Sequence, residues 1–408
     1  MKTLNRARRQ VLIGIGLISL AGSVAPFGEA VAAETFKVGL IADYSGAFAT
    51  WGPQFQNAIE AYQAIYGKSV AGPKGEVIDV QFLYRDSASA GADKAKQLAE
   101  ELILRDKVRM IAGFDLSPHA LAVAALATEA KVPLVVMNAA ASAITRASPY
   151  IVRTSATLPQ AASVAGKWAA QNGYKKAFII TADYAPGNDA AEYFAKEFKA
   201  GGGEIIGATK TPIQETNFSA YMERMLQAKP DLIYMFQPNG SPSIAFVKAY
   251  LERGLKQAGI QLMGGAEFAE LYLANFPAEI AGALSVNNYT EGNAFPENKL
   301  MRDQLTKMFG AKGITDIAAV GAWDGMQLIY LALKEVGANG TAAQYIDAMK
   351  GKELKSPRGP IMIDPEERDI VQNIYIRRID KVDGKLVNVD IATVPMVKDP
   401  WKIDNPKK

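Results

Sequence analysis

The chain has 408 residues, 49% hydrophobic and 21% charged, which is ordinary globular usage for about two domains. Four of its 45 Lys and Arg and one of its 42 Asp and Glu lie in the first 33 residues, so the remainder is neutral overall. That remainder has no polybasic stripe for nucleic acid and no basic patch for a membrane surface. There is no cysteine, which excludes disulfides and leaves stability to the hydrophobic core.

The opening segment stands apart. Lys2, Arg6, Arg8 and Arg9 form a basic region before the apolar run Val11 to Ala25, which is of signal-peptide length and short for a membrane span. Ala30-Val31-Ala32-Ala33 offers small-residue cleavage sites after Ala32 or Ala33. Residues 1–33 read as a secretory signal peptide, with Arg8-Arg9 leaving the twin-arginine and general secretory routes both open. No cysteine near the cleavage site carries a lipid, and no second stretch reaches spanning length. The mature chain is therefore expected to diffuse freely in a bacterial periplasm without inserting into the membrane.

From Phe36 the pattern alternates. Phe36 to Ala42 reads as a strand, Gln54 to Ile65 as a helix, Val77 to Tyr84 as a strand and Ala92 to Arg105 as an amphipathic helix. Val108 to Thr145 organises the rest. Val108 to Ala112 is a strand, Ser117 an N-cap ahead of Pro118, and the helix runs to about Ala130. Pro133 to Met137 is the next strand, and Asn138 to Ser142 a small-residue loop opening another helical turn. Two loops thus leave neighbouring strands at their carboxyl ends, each aimed at a helix N-terminus, where an open α/β sheet takes a small anionic ligand. Capping alone also accounts for each turn taken singly.

Further strands are expected at Tyr150 to Thr154, Lys176 to Ala182, Glu204 to Ala208, Asp231 to Phe236, Gln261 to Gly264 and Leu284 to Tyr289. Helices alternate with them at Leu158 to Asn172, Ala190 to Ala200, Phe218 to Ala228 and Ser243 to Gly254. Asp183 to Asp189 and Gln237 to Pro242 read as loops. Two later helices are expected at Pro296 to Phe309 and Ala318 to Val336, and from Met362 the tail reads as strands with an Asp383-Gly384 hairpin turn. The alternation predicts an α/β protein with parallel sheets covered by helices on both faces. So many strands need two sheets, and the lack of a linker implies that the chain passes between lobes more than once.

No standard catalytic apparatus is present. His119 is the only histidine; it could line the cleft, but with no cysteine and no second histidine Cys-His and zinc sites are absent and a Ser-His-Asp triad would depend on it alone. It reads as an exposed residue in the first turn of its helix. There is no GxxxxGK[ST] or GxGxxG loop, and neither metal nor cofactor is expected. The loops offer binding groups instead. Tyr44, Ser45, Trp51, Phe114, Ser117, Asn138, Ser142, Tyr184, Gln237, Asn239 and Glu267 all follow predicted strands.

On KVGLIADYSGAFATWGPQFQNAIEAY, the Val108 to Thr145 stretch, DYAPG at Asp183 to Gly187, AAVGAWDGMQLIYLALKEVG from Ala318 and SPRGPIMID from Ser356, the chain resembles the periplasmic substrate-binding proteins of the leucine/isoleucine/valine class. The resemblance covers essentially the whole mature chain. It implies a type I periplasmic-binding-protein fold: two Rossmann-like lobes joined by a three-strand hinge, with crossings near Ser155, Val286 and Ser356. Residues 34–154 with 287–355 would form lobe 1, and residues 155–286 with 356–408 lobe 2.

The same resemblance implies a monomeric, non-enzymatic component of an ABC importer that hands a small carboxylate to a membrane permease. A sensor presenting its ligand to a membrane receptor is the alternative. Ser117 matches the serine that holds the ligand carboxylate, and Trp51 an aromatic at the cleft mouth. Asn138, Ala139, Ala140 and Ser142 match the small-residue loop, with Ala140 at the usual threonine position. Pro186 replaces a ligand-facing tyrosine, Pro238 falls where amino-acid binders carry an aromatic, and Glu267 is the candidate partner for a ligand ammonium. The APG-like loop resembles the branch that takes aromatic carboxylates, for which Trp51, Phe114, Tyr184 and Phe268 would supply flat walls. An apolar, aromatic carboxylate and a branched-chain-type amino acid both stay open.

Overall fold

The computed structural model describes residues 34–407, and the signal-peptide expectation for residues 1–33 lies outside the described residues. Strand β1 (Glu34–Ala42) sets the layering of the first lobe. Phe36, Val38 and Leu40 point into one apolar cluster and Ile41 into another on the opposite face. A strand buried on both faces reads as a continuous apolar run, as this one does.

Around β1 lie β2 (Ser69–Ala71), β3 (Val77–Asp86), β4 (Met110–Gly113), β5 (Leu134–Val136) and β6 (Ile151–Arg153). Their order is β2-β3-β1-β4-β5-β6, parallel except for β2. Helix α1 (Trp51–Tyr66) covers one face, and α2 (Ala92–Leu104) and α3 (Ser117–Ala130) cover the other.

The second sheet begins after α4 (Leu158–Gln171) with β7 (Lys176–Ala182). It continues through α5 (Ala185–Ala200), β8 (Glu204–Thr211), α6 (Ser219–Ala228), β9 (Leu232–Phe236), α7 (Ser241–Glu252), β10 (Gln261–Gly264), the short α8 (Glu270–Leu273) and β11 (Leu284–Asn287). The chain then returns to the first lobe as α9 (Pro296–Phe309), α10 (Ile317–Val336) and α11 (Ala342–Met349), whose Trp323, Met326 and Leu333 share a core with Phe36 and Phe55. It ends in the second sheet with β12 (Glu353–Ser356), β13 (Gly359–Ile363), β14 (Ile370–Val382), β15 (Lys385–Val397) and α12 (Pro400–Asp404). The nine-stranded order among the described residues is β12-β13-β14-β11-β10-β9-β7-β8, with β15 on β14.

The chain passes between the sheets three times: after β6, after β11, and between α11 and β12. β12 already pairs with β13, so the division expected at residue 355 falls inside a strand of the second sheet. The strand expectations largely match, but several helices start earlier than expected. Pro53, Pro186 and Pro242 sit inside the first turns of α1, α5 and α7 rather than before them. The first turn needs no proline N–H, so a proline there does not end the loop. β2, β12, α11 and α12 are short elements with no anticipated signal. The Asp383-Gly384 turn joins β14 to β15 with φ of 50° and 80°, the left-handed pair of a tight hairpin. No helix among the described residues is long and apolar enough to cross a membrane.

Candidate ligand-binding cleft

A cleft of about 980 Å³ opens where the carboxyl ends of both sheets face each other over the three crossings. Its first-lobe wall carries Trp51, Asp115, Ser117, Asn138, Ala140 and Ile317. The second-lobe wall carries Tyr184, Pro186, Tyr234, Phe236, Pro238 and Asn239, with the Gly264–Ala266 backbone behind them. The floor comes from the crossings: Ser155 to Leu158, Val286 to Asn288, and Arg358. Thr50 Oγ1 and Tyr272 Oη, one from each lobe, stand 3.4 Å apart, and the Ser142 N–H donates to Asp189 Oδ2 across the hinge side at 3.0 Å.

Ser117 is not an N-cap. Leu116 takes that position and Ser117 is the first helical residue. Its Oγ accepts the N–H groups of Ala140 at 3.2 Å and Ala141 at 3.0 Å, so the two loops are joined and the hydroxyl proton stays available to a ligand. Asn138 Nδ2 donates to the Asp115 carbonyl at 2.9 Å, which ties the same loop pair a second time. Helices α3, α4 and α5 begin at the cleft with Ser117, Leu158 and the turn at Pro186, so three positive dipole ends converge on it.

His119 is buried, not exposed: it is 1% accessible. Its Nδ1 meets Asp115 Oδ1 at 3.1 Å and its Nε2 meets the Ala90 carbonyl at 2.9 Å. Acceptors facing both ring nitrogens favour the protonated ring. Burial opposes that charge, but the Asp115 bond and charge, the Ala90 carbonyl and the Asp43 charge outweigh it and raise the pKa. Asp43 is raised by burial and by Asp115, against bonds from Ser87 and Ser89. Asp43, Asp115 and His119 bring ligand atoms within 4.8 Å of one another, with both ring nitrogens already engaged by Asp115 and the Ala90 carbonyl.

Six of the expected contact residues come together in the wall: Trp51, Ser117, Asn138, Ala140, Tyr184 and Pro186. Five lie one layer behind it. Phe114 holds a left-handed φ of 64° and packs into the α2–α3 core. Ala139 is buried with its carbonyl accepting from Ser155 Oγ at 2.9 Å, and Ser142 opens a short 3₁₀ turn at the hinge. Gln237 Oε1 accepts from Thr211 Oγ1 at 3.1 Å inside the second lobe.

Glu267 is the consequential case. Its Oε1 accepts the Gln237 N–H at 2.8 Å and its Oε2 the Gly265 N–H at 2.6 Å, so the carboxylate is spent on two loop backbones. Burial pushes its pKa up to about 7, against those bonds and the Arg377 charge. It is fully buried and is not among the residues lining the cleft, where the Gly264–Ala266 backbone is. Asp115, the acid in the wall, is likewise engaged, by the Asp43 and Leu116 N–H groups and His119.

The floor residues were missed by sequence reasoning. Arg358 is 1% exposed and donates to Asp324, to Gln372 Oε1 at 3.0 Å and to the Thr154 carbonyl. Gln372 also accepts from Asn288 Nδ2 at 3.2 Å and donates to Gln160 Oε1 at 3.0 Å, which ties all three crossings together. The only sequence signal was an arginine inside the otherwise small SPRGP segment.

A periplasmic binding protein family model matches residues 35–385. A Leu/Ile/Val-binding protein homologue from Brucella melitensis is 37% identical over 395 residues, covering 96% of this chain and 98% of that one. An ABC-transporter solute-binding protein from Rhodopseudomonas palustris BisB5, solved with 3,4-dihydroxybenzoic acid, is 44% identical. It has a TM-score of 0.85 and covers 90% of this chain and 99% of its own. Another from R. palustris, solved with 4-hydroxybenzoate, is 41% identical with a TM-score of 0.88, covering 91% and 100%. The chain belongs to the periplasmic binding protein family, and its two lobes have the type I fold of that family.

Proposed function

We propose that the chain is the substrate-binding component of an ABC importer and that it captures an aromatic carboxylate lacking an ammonium group. The observation that carries this reading is the state of the cleft's acids. A buried ammonium needs a carboxylate partner. Asp115 and Glu267 are both committed to backbone N–H groups, and Asp115 also to His119. The walls are instead flat and apolar, with Tyr184 stacked on Phe236 at 6.0 Å and 17°. The Ser117 hydroxyl and the converging helix dipoles suit a carboxylate. The hydroxybenzoates bound to the R. palustris proteins support the same class.

In this reading the protein is exported to the periplasm, its leader removed after Ala32 or Ala33, and acts as a monomer that releases its ligand unchanged to a permease. A thermal-shift screen of the purified protein checks the ligand class. An aromatic carboxylate at about 100 times its Kd adds roughly 2.7 kcal/mol of stability. Stabilisation by leucine, isoleucine or valine and by no aromatic acid sinks the proposal.

A further inference from the structure

Asn287, the last residue of β11, lines the cleft floor and is 5% exposed. Its Oδ1 accepts the Asn288 N–H at 2.8 Å, and that bond fixes which end of the amide is oxygen. The other end, Nδ2, is buried with no acceptor. Thr157, also in the floor, is the N-cap of α4, with its side chain turned to the Gln160 N–H in a capping box. Arg358 nearby is taken up by Asp324, Gln372 and the Thr154 carbonyl, so the floor does not present a free cation for the carboxylate. In the aromatic-carboxylate reading, the carboxylate falls to Ser117 on the first-lobe wall. Leu158 and Val286 of the floor, Ala161 beside them, and Tyr184 and Phe236 of the second-lobe wall line the same cleft and give a ring apolar contact.

We propose that Asn287 is a specificity-determining residue: its unpartnered Nδ2 donates to an oxygen substituent on the ligand ring, at the end away from the carboxylate. This rests on the aromatic-carboxylate reading above. A buried amide donor left empty stays costly, so a site built this way rejects the acid that lacks the ring oxygen.

Calorimetric titration of the purified protein with 4-hydroxybenzoate, 4-methylbenzoate and benzoate tests this. The methyl group matches the hydroxyl in size and cannot accept a hydrogen bond. The unaltered protein is expected to favour 4-hydroxybenzoate over both others by about tenfold or more. Asn287→Leu is expected to lose about tenfold for 4-hydroxybenzoate and to hold benzoate within about threefold, so the preference disappears. Equal loss for all three acids in Asn287→Leu, meaning a packing role, overturns the assignment. So does equal affinity of the unaltered protein for 4-hydroxybenzoate and 4-methylbenzoate, which needs no variant to fold. If none of the three binds the unaltered protein, the aromatic reading beneath fails and this assignment with it.

Discussion

Each lobe secures its cleft wall with one buried acid that ties two neighbouring loops. In the first lobe Asp115 joins the loop after β4 to the loop after β1 through the Asp43 N–H at 2.9 Å. In the second lobe Glu267 joins the loop after β10 to the loop after β9 through the Gln237 N–H at 2.8 Å. The difference is the counter-charge. Asp115 has the His119 ring 3.1 Å away, whereas Glu267 has only backbone donors and the more distant Arg377 charge. The same mechanical task is thus done once by an ion pair and once by a lone acid that burial drives toward neutrality.

Breaking the ion pair should have the largest effect. Asp115→Leu leaves the His119 cation buried among the remaining groups and should cost about 3 kcal/mol or more at pH 6, read by urea unfolding. The cost should shrink once pH rises far enough for the ring to lose its proton. A cost under about 1 kcal/mol would mean that the pair is dispensable.

The pH response sharpens the contrast. Glu267 keeps its proton in the folded protein up to about 7 but loses it near 4.5 when unfolded, so the folded state binds more protons between those values. Stability from this group therefore falls as pH rises from 4.5 to 7, by up to about 3 kcal/mol, and is flat above. The His119 pKa is raised, so its contribution is complete below about 6.5 and is lost as pH climbs through the folded value. Asp316 and Asp399 are also raised, so difference curves are needed. Glu267→Gln should flatten the lower window and His119→Phe the upper one. Interchanged or unaffected windows would refute the assignment of one support to each lobe.

The smallest effect is expected at the joint between loops. Ser117→Ala removes the acceptor of two N–H groups and the hydroxyl offered to the ligand, and should weaken aromatic-carboxylate binding by roughly 1–3 kcal/mol in titration. Unchanged affinity would move the carboxylate elsewhere in the cleft.

The architecture was legible because its signals are local. Runs such as Phe36 to Ala42 and the stripes of α2 and α10 follow from strand and helix periods. The helix starts were less so, since Pro186 and Pro242 read as loop residues until their place in a first turn is seen. Among site residues, the difference between Ser117 in the wall and Phe114 behind it is a left-handed backbone at Phe114, which no composition reveals. Glu267 reads as a ligand partner through the family resemblance, but its two backbone donors come from turns shaped by tertiary contact. Thr157, Asn287 and Arg358 meet only because three distant crossings do, and no local pattern records that meeting.

The arrangement of those crossings has a mechanical consequence. If the lobes close as the type I fold implies, the three crossings are the expected fulcrum, so Asn287, Thr157 and Arg358 beside them should move less than Trp51 and Tyr184 on the lobe walls. Floor contacts should then be nearly the same in open and shut forms and set how firmly a ligand is first held. Contacts at the tips exist only once the jaws meet, and a ligand biases a two-state equilibrium solely through such differences. Substitutions at the floor should therefore change capture, and substitutions at the tips should change how long the jaws stay shut.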